Sequence, residues 1–173
     1  MRMPRPSIRK VVLATTPDDS HLWNLAGVQL ELEERGFSVT NLGPCTPVAL
    51  LSDTLAVIEP ELLVISSING HGGISIVQML RDLTPILLLT ETRVVAGGLL
   101  CTDQARSHEL ERLLLSHGCH AIFTGEHAWP RFDAWLQVAD EEDRKTVMPR
   151  IAVESRSAGV PRKHLQPTVT SRC

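Results

Sequence analysis

The chain reads as an α/β protein: a doubly wound, five-stranded parallel sheet with helices on both faces. Two observations predict this. Short apolar, β-branched runs alternate strictly with stretches of helical periodicity, five times over, punctuated by Gly and Pro at the junctions. Strict strand–helix alternation requires parallel strands joined by helical crossovers. A chain of 173 residues, 43% of them hydrophobic, is long enough to bury one proper core.

The elements follow in order. Residues 1–8 carry two prolines and two arginines and read as a ragged extension. The first strand is expected at about residues 9–15, through Lys10-Val11-Val12-Leu13-Ala14-Thr15. The first helix spans about 22–35, with Leu22, Leu25, Ala26 and Leu30 on its inner face and Gly36 as its stop. Strand two is residues 37–42. Thr46-Pro47 supplies an N-cap and a first-turn proline to helix two, whose buried stripe is Val48, Leu51, Leu55 and Ile58 and which ends before Pro60. Strand three is residues 62–65, and the loop of residues 66–73 follows it. A third helix starts near Ile74 and is disturbed at Pro85, where Thr84 is placed to cap a restarted turn. Strand four is residues 93–96, ending in Gly97-Gly98. Helix four covers about 103–117, with Leu110, Leu113 and Leu114 inside and Gly118 as its stop. Strand five is residues 121–123, and helix five uses Phe132, Trp135, Leu136 and Ala139.

Charge is unevenly distributed along the chain. Residues 1–143 hold 10 Lys+Arg against 19 Asp+Glu, whereas residues 144–173 hold 7 against the single Glu154. An acidic body argues against nucleic acid as a partner. The basic, Pro-interrupted segment 141–173 lacks apolar periodicity and reads as a mostly disordered tail. The apolar runs, such as residues 86–89, are too short to span a bilayer, and no leader pattern opens the chain. Cys45, Cys101, Cys119 and Cys173 show neither Cys-x-x-Cys nor zinc spacing. Together these features lead us to expect a cytoplasmic protein with reduced thiols and no membrane partner.

The informative residues lie after the strands. Asp19-Ser20-His21 follows the first strand, and Ser66-Ser67-Ile68-Asn69-Gly70-His71-Gly72-Gly73 follows the third. Gly97-Gly98 and Thr124-Gly125 follow the fourth and fifth. With strand order 2-1-3-4-5, a flavodoxin/Rossmann-like arrangement, the switch point lies between strands one and three, so four unusual stretches converge on one crevice. An Asp two residues before a His can accept from one ring nitrogen while the other binds a metal. The structural alternative makes Asp19 a helix cap and His21 an exposed first-turn residue. A phospho-receiver would need an Asp ending strand three and a Lys ending strand five, where this chain has Ser66-Ser67 and Phe123-Thr124. A flavin site is disfavoured by the absence of both a Gly-permitted phosphate wrap and any tyrosine. His71 reads equally as a polar ligand or partner contact and as a solvated loop residue. His108, His117, His120, His127 and His164 read as structural or surface groups.

These residues resemble the cobalamin-binding domains that hold their cofactor with its own base displaced. That signature is Asp-x-His-x-x-Gly, then Ser-x-Leu, then Gly-Gly. Here it reads Asp19-Ser20-His21-Leu22-Trp23-Asn24, Ser66-Ser67-Ile68 and Gly97-Gly98. Asn24 stands where the signature has glycine, and Ile68 where it has leucine. The serine pair followed by Gly70-His71-Gly72, and the stretch of residues 34–43, are most similar to the small subunit of glutamate mutase (methylaspartate mutase). The resemblance covers roughly residues 9–140.

The resemblance implies His21 as the lower axial ligand to cobalt, oriented by Asp19. Ser66 is implied to hydrogen-bond the displaced dimethylbenzimidazole. Asp18, Ser20 and Leu22, in and beside the ligand loop, are implied to contact the cofactor. Ser67, Ile68, Gly70, Gly72, Gly97, Gly98 and Leu99 shape the cavity for the nucleotide tail and corrin edge, which Thr124 and Gly125 close. It further implies adenosylcobalamin as cofactor and a separate large barrel subunit as partner, which binds a small acidic substrate. The chain would then be an isomerase only in that complex, with no catalytic residue of its own beyond the cofactor ligand. The absence of Arg and Lys from the four crevice loops agrees with a cofactor-presenting subunit. The alternatives are a stand-alone corrinoid carrier, a cobalamin-sensing module, and a degenerate domain that has lost the cofactor.

Overall fold

The structure, a computed structural model, describes residues 9–141. The expected ragged extension and nearly all of the expected tail lie outside the described residues. The element order is β1 (Lys10–Ala14), α1 (Leu22–Glu34), β2 (Ser38–Asn41), α2 (Val48–Ile58), β3 (Leu62–Ser67), α3 (Gly72–Thr90), β4 (Arg93–Gly98), α4 (Gln104–Ser116) and β5 (Ala121–Phe123). All pairings are parallel and the sheet order is β2-β1-β3-β4-β5, the doubly wound topology expected from the alternation. Residues 128–141 are helical. The chain divides into two compact units, residues 1–131 and 132–173. The first holds the sheet and α1–α4. In the described part of the second, Phe132 and Trp135, one helical turn apart, stack with ring centroids 6.2 Å apart.

The strands form because β-branched and apolar residues tolerate burial on both sides of a parallel sheet. Val12, Ala14, Leu63, Ile65, Val94 and Ala96 point to one face and join Leu51, Leu55, Ile76, Leu80, Leu83 and Leu114 in a single core cluster. By strand alternation Val11, Leu13, Leu62, Val64 and Ser66 point to the opposite face. Each fully buried leucine in that cluster contributes about 1.5–3 kcal/mol. The sheet thereby fixes the ends of β1, β3 and β4 side by side, which is what positions the site.

Four local expectations need correction. In α1 the inward residues are Leu25 and Leu32, while Leu22 and Leu30 are 51% and 62% exposed. Leu113 of α4 is likewise turned outward at 39% exposure, and Leu114 is the buried residue. Thr46 does not cap α2, whose N-cap is Pro47. Its buried hydroxyl instead accepts from the Thr15 backbone N–H (3.0 Å) and donates to the Gly43 carbonyl (2.8 Å), tying the end of β1 to the loop before α2. α3 starts at Gly72 and runs unbroken through Pro85. Thr84 caps no new turn; its hydroxyl bonds back to the Leu80 carbonyl at 2.8 Å. Pro85 lies on the exposed side of the helix, where water can serve the carbonyl its missing N–H leaves free.

α3 is, by length and composition, apolar enough to cross a membrane, with mean hydropathy 1.3. Counting uninterrupted apolar runs overlooks it because polar residues are interspersed. Its inner face, including Ile76, Met79, Leu80 and Leu83, is fully buried in the core, as in a central helix of a globular domain.

Candidate functional site

Asp19 is the hub of the site. The turn after β1 is closed by the Asp19 N–H to the Thr16 carbonyl at 3.1 Å, and this leaves Asp19 only 1% exposed. A buried carboxylate needs partners, and Asp19 has four. Oδ2 accepts from the Ser67 hydroxyl (2.6 Å) and the Ile68 backbone N–H (2.8 Å). Oδ1 accepts from the His21 backbone N–H (2.9 Å) and lies 2.7 Å from His21 Nδ1. Burial pushes the Asp19 carboxyl up, but the donors from Ser67, His21 and Ile68 outweigh it and bring it down to about 2.

This fixes the tautomer of His21 in its neutral form. An ionised Asp19 oxygen can only accept, so Nδ1 carries the proton it donates. The neutral ring therefore keeps its lone pair on Nε2. The His21 side chain is 51% exposed, so this nitrogen is available at the sheet edge. The N-cap of α1 is His21 itself, with no side-chain cap, so Asp19 does not cap the helix as the structural alternative has it; it binds the His21 N–H and ring from two residues upstream. Among the described residues no three His, Cys, Asp or Glu side chains gather to hold a metal ion. A lone, carboxylate-backed imidazole suits a metal that brings its remaining ligands with it, as one in a macrocycle does.

The residues around this pair are set by tight packing. Ser66 and Ser67 are the last residues of β3 and are buried, at 3% and 0% exposure. Ser67 reaches Asp19, whereas Ser66 Oγ accepts from Asn24 Nδ2 of α1 at 2.8 Å. Gly72 opens α3 against Ser67, and a Cβ there would collide with the Ser67 hydroxyl. Gly98 has φ +105 and lies against the Ser67 carbonyl, so no L side chain is accommodated. Gly97 pairs with Ser66 across the β3–β4 ladder, and a Cβ on it would meet the Phe123 carbonyl at 2.9 Å. The loops after β3 and β4 are joined by the Gly70 N–H to the Leu99 carbonyl (3.2 Å) and the Gly73 N–H to the Leu100 carbonyl (3.1 Å).

The remaining expected residues divide. Asp18 is exposed and accepts from Ser75 Oγ at 3.1 Å. Its carboxyl is held below the usual range, chiefly by the Thr16 hydroxyl. Ser20 is exposed, and its carbonyl accepts from the Leu22 N–H at 2.9 Å. Gly98, Leu99, Thr124 and Gly125 line a separate cavity of about 210 Å³ against Ser107 and Leu110 of α4, which contains neither Asp19 nor His21. His71 is the exposed N-cap residue of α3, and its backbone N–H bonds to Asn69 Oδ1 at 2.9 Å. His120 Nδ1 accepts from the Val94 N–H at 3.0 Å, far from the ligand edge.

Sequence reasoning missed two features. The Asn24–Ser66 bond joins residues 42 apart and has no local signal. Thr15 Oγ1, 2% exposed as a residue, has no hydrogen-bond partner, although Thr15 was visible as a hydroxyl ending an apolar strand. The edge also carries exposed large apolar side chains: Leu22 and Trp23 after β1, Ile74 after β3, and Leu99 after β4.

No family model and no curated protein matches the chain. Solved structures do. A cobalamin-binding protein from Desulfitobacterium hafniense DCB-2 superposes with TM-score 0.59 at 22% identity, over 75% of this chain and 60% of that one. The methanol:cobalamin methyltransferase complex of Methanosarcina barkeri gives TM-score 0.50 at 17% identity, over 74% of this chain and 46% of that one. A signal receiver domain of a diguanylate cyclase from Desulfovibrio desulfuricans G20 gives TM-score 0.55 at 8% identity, over 81% and 99%. The chain thus spans at most about three-fifths of the two cobalamin-related structures. At these identities the likeness shows a fold, the parallel five-stranded sheet that cobalamin-binding domains share with receiver domains.

Proposed function

We propose that this chain binds a corrinoid through His21 and presents it to a separate catalytic subunit. The observation that carries the reading is the Asp19–His21 pair: a buried, ionised carboxylate 2.7 Å from Nδ1, with Nε2 free at the ligand edge. A receiver domain of the same fold would need an acid ending β3 and a lysine ending β5. This chain has Ser67 and Phe123 there.

In this reading His21 Nε2 would hold the cobalt of the corrinoid, with Asp19 holding the tautomer and raising the basicity of the ring. Ser67 and Ile68 fix Asp19, while the Thr15 hydroxyl is without a partner and Ser66 Oγ is held by Asn24. Gly70, Gly72, Gly97, Gly98 and Leu99 shape the surrounding backbone, with Thr124 and Gly125 at its far side. Exposed Leu22, Trp23, Ile74 and Leu99 give the edge an apolar surface against which a corrin and a partner can close. We take the finer role to be the cobalamin-binding small subunit of a glutamate-mutase-like isomerase. Its support is the Ser66 to Gly72 motif and the absence of Arg and Lys from the four edge loops. The chemistry adenosylcobalamin supplies when bound is homolysis of a cobalt–carbon bond. Recognition of the small acidic substrate then falls to the barrel partner, and nucleic acid has no part. A corrinoid carrier for methyl transfer is the second reading, favoured by the likeness to the methyltransferase complex.

Absorbance titration of the purified chain with cobalamin tests the reading. Binding with the cofactor's own base displaced, abolished in His21→Ala, is expected; binding with that base still on cobalt contradicts it. Co-purification of a barrel mutase subunit supports the isomerase role, and co-purification of a methyltransferase supports the carrier.

A further inference from the structure

We infer that Asn24 is a specificity-determining residue that holds shut the slot between α1 and β3 and selects against corrinoids carrying a full lower nucleotide. The inference rests on the corrinoid reading above. Along the sheet edge, Thr15, Ser66 and Gly97 lie on successive strands or their ends, through the registers Ala14↔Ile65 and Ser66↔Gly97. Two hydroxyls and a missing side chain therefore line the α1 side of that edge. Thr15 Oγ1, like Thr16 Oγ1 beside it, is buried and has no partner, and strand alternation puts Thr15 on the same face as Ser66. Ser66 Oγ, by contrast, is taken: the amide of Asn24 donates to it at 2.8 Å.

The Asn24 side chain thus occupies the position from which a ligand group would approach Ser66. A planar base entering the slot must first break the Asn24–Ser66 bond and turn Asn24 away. A corrinoid without the nucleotide meets only His21 at the open edge and needs neither step. α1 is itself anchored on the sheet by Leu25 and Leu32. Removing the side chain frees the slot and leaves Thr15 and Ser66 available to the ligand.

The test compares the full chain with Asn24→Gly and Asn24→Ala, the alanine variant preserving helix propensity should glycine weaken α1. Each is titrated with cobalamin and with cobinamide, which has the same corrin without the nucleotide, both reduced to cobalt(II). The bound fraction is read by absorbance and by the imidazole-nitrogen hyperfine splitting. Cobinamide is expected to bind the natural chain at least as tightly as cobalamin. Either variant should tighten cobalamin by about tenfold or more while changing cobinamide by less than about twofold. Equal effects on both ligands, or no effect on either, overturn the role of Asn24 and leave His21 ligation standing. If neither ligand binds any form through His21, the corrinoid reading itself fails and this inference falls with it.

Discussion

Replacing Asp19 by asparagine is the sharpest perturbation of the site, because it keeps the shape and removes the charge. Asp19 receives hydrogen bonds from Ser67 Oγ, Ile68 N and His21 N, and a fourth from His21 Nδ1. An amide has only one acceptor oxygen. Whichever way it turns, its NH2 group faces a backbone N–H, that of Ile68 or of His21, and that donor is left unsatisfied. Losing one charge-assisted bond and orphaning a donor costs about 2–4 kcal/mol. The same hydrogen bonds hold the Asp19 carboxyl at about 2 rather than the ordinary 3.8, which corresponds to about 2.5 kcal/mol of preference for the ionised form in the folded state. With a urea dependence of about 1–3 kcal/mol per molar, the unfolding midpoint of Asp19→Asn should fall by about 0.7–4 M at neutral pH. The sign with pH follows from the folded value lying below the unfolded one. The stabilisation is complete above about pH 4 and fades as pH falls toward 2, so the two proteins should converge in acid. A midpoint change below about 0.2 M, or a difference that persists undiminished at low pH, would refute the assignment of Asp19 as an ionised, fully bonded hub.

Two further outcomes follow from the packing. Gly98→Ala combines a φ of +105 with a collision at the Ser67 carbonyl and should lower stability by about 2 kcal/mol or more. Gly27→Ala, in α1 with open space around it, should raise stability by about 0.5–1 kcal/mol, both read from thermal unfolding. His120 is held toward its neutral form by burial and by the charge of Arg93, and its Nδ1 accepts from Val94. Its folded value lies below the unfolded 6.5, so stability should decline as pH drops through that value. His120→Asn, which keeps an acceptor but cannot titrate, should flatten the slope in denaturation curves taken across that range.

The strands and their order were legible because β1, β3 and β4 are apolar runs whose burial a parallel sheet demands, and strict alternation leaves few topologies. The Asp19–His21 pair was legible because it is local: two residues apart, in the turn after a buried strand. What the sequence hid was set by tertiary partners. α1 offers Leu22, Leu25, Leu30 and Leu32, enough for more than one apolar stripe, and the sheet selected the one that also carries Asn24 inward. Thr46 has the residue type and spacing of a cap, but the Thr15 N–H at the end of β1 claims its hydroxyl. Pro85 reads as a break, yet on the solvent side of α3 it costs only a bond that water replaces. Gly72 reads as loop, but its role is to leave room for the Ser67 hydroxyl that holds Asp19. The cavity beyond Gly98 is lined by Leu99, Thr124 and Gly125 without Asp19 or His21, and the start of α3 is bonded to the loop after β4 through Gly73 N–H and the Leu100 carbonyl.

Electron paramagnetic resonance on the full chain mixed with cobalt(II) cobalamin, with histidine nitrogen isotopically labelled, tests the central claim most directly. The account predicts superhyperfine splitting from one protein imidazole nitrogen, altered by the label and absent in His21→Ala. Splitting that ignores the label, showing the cofactor's own base still on cobalt, would contradict it.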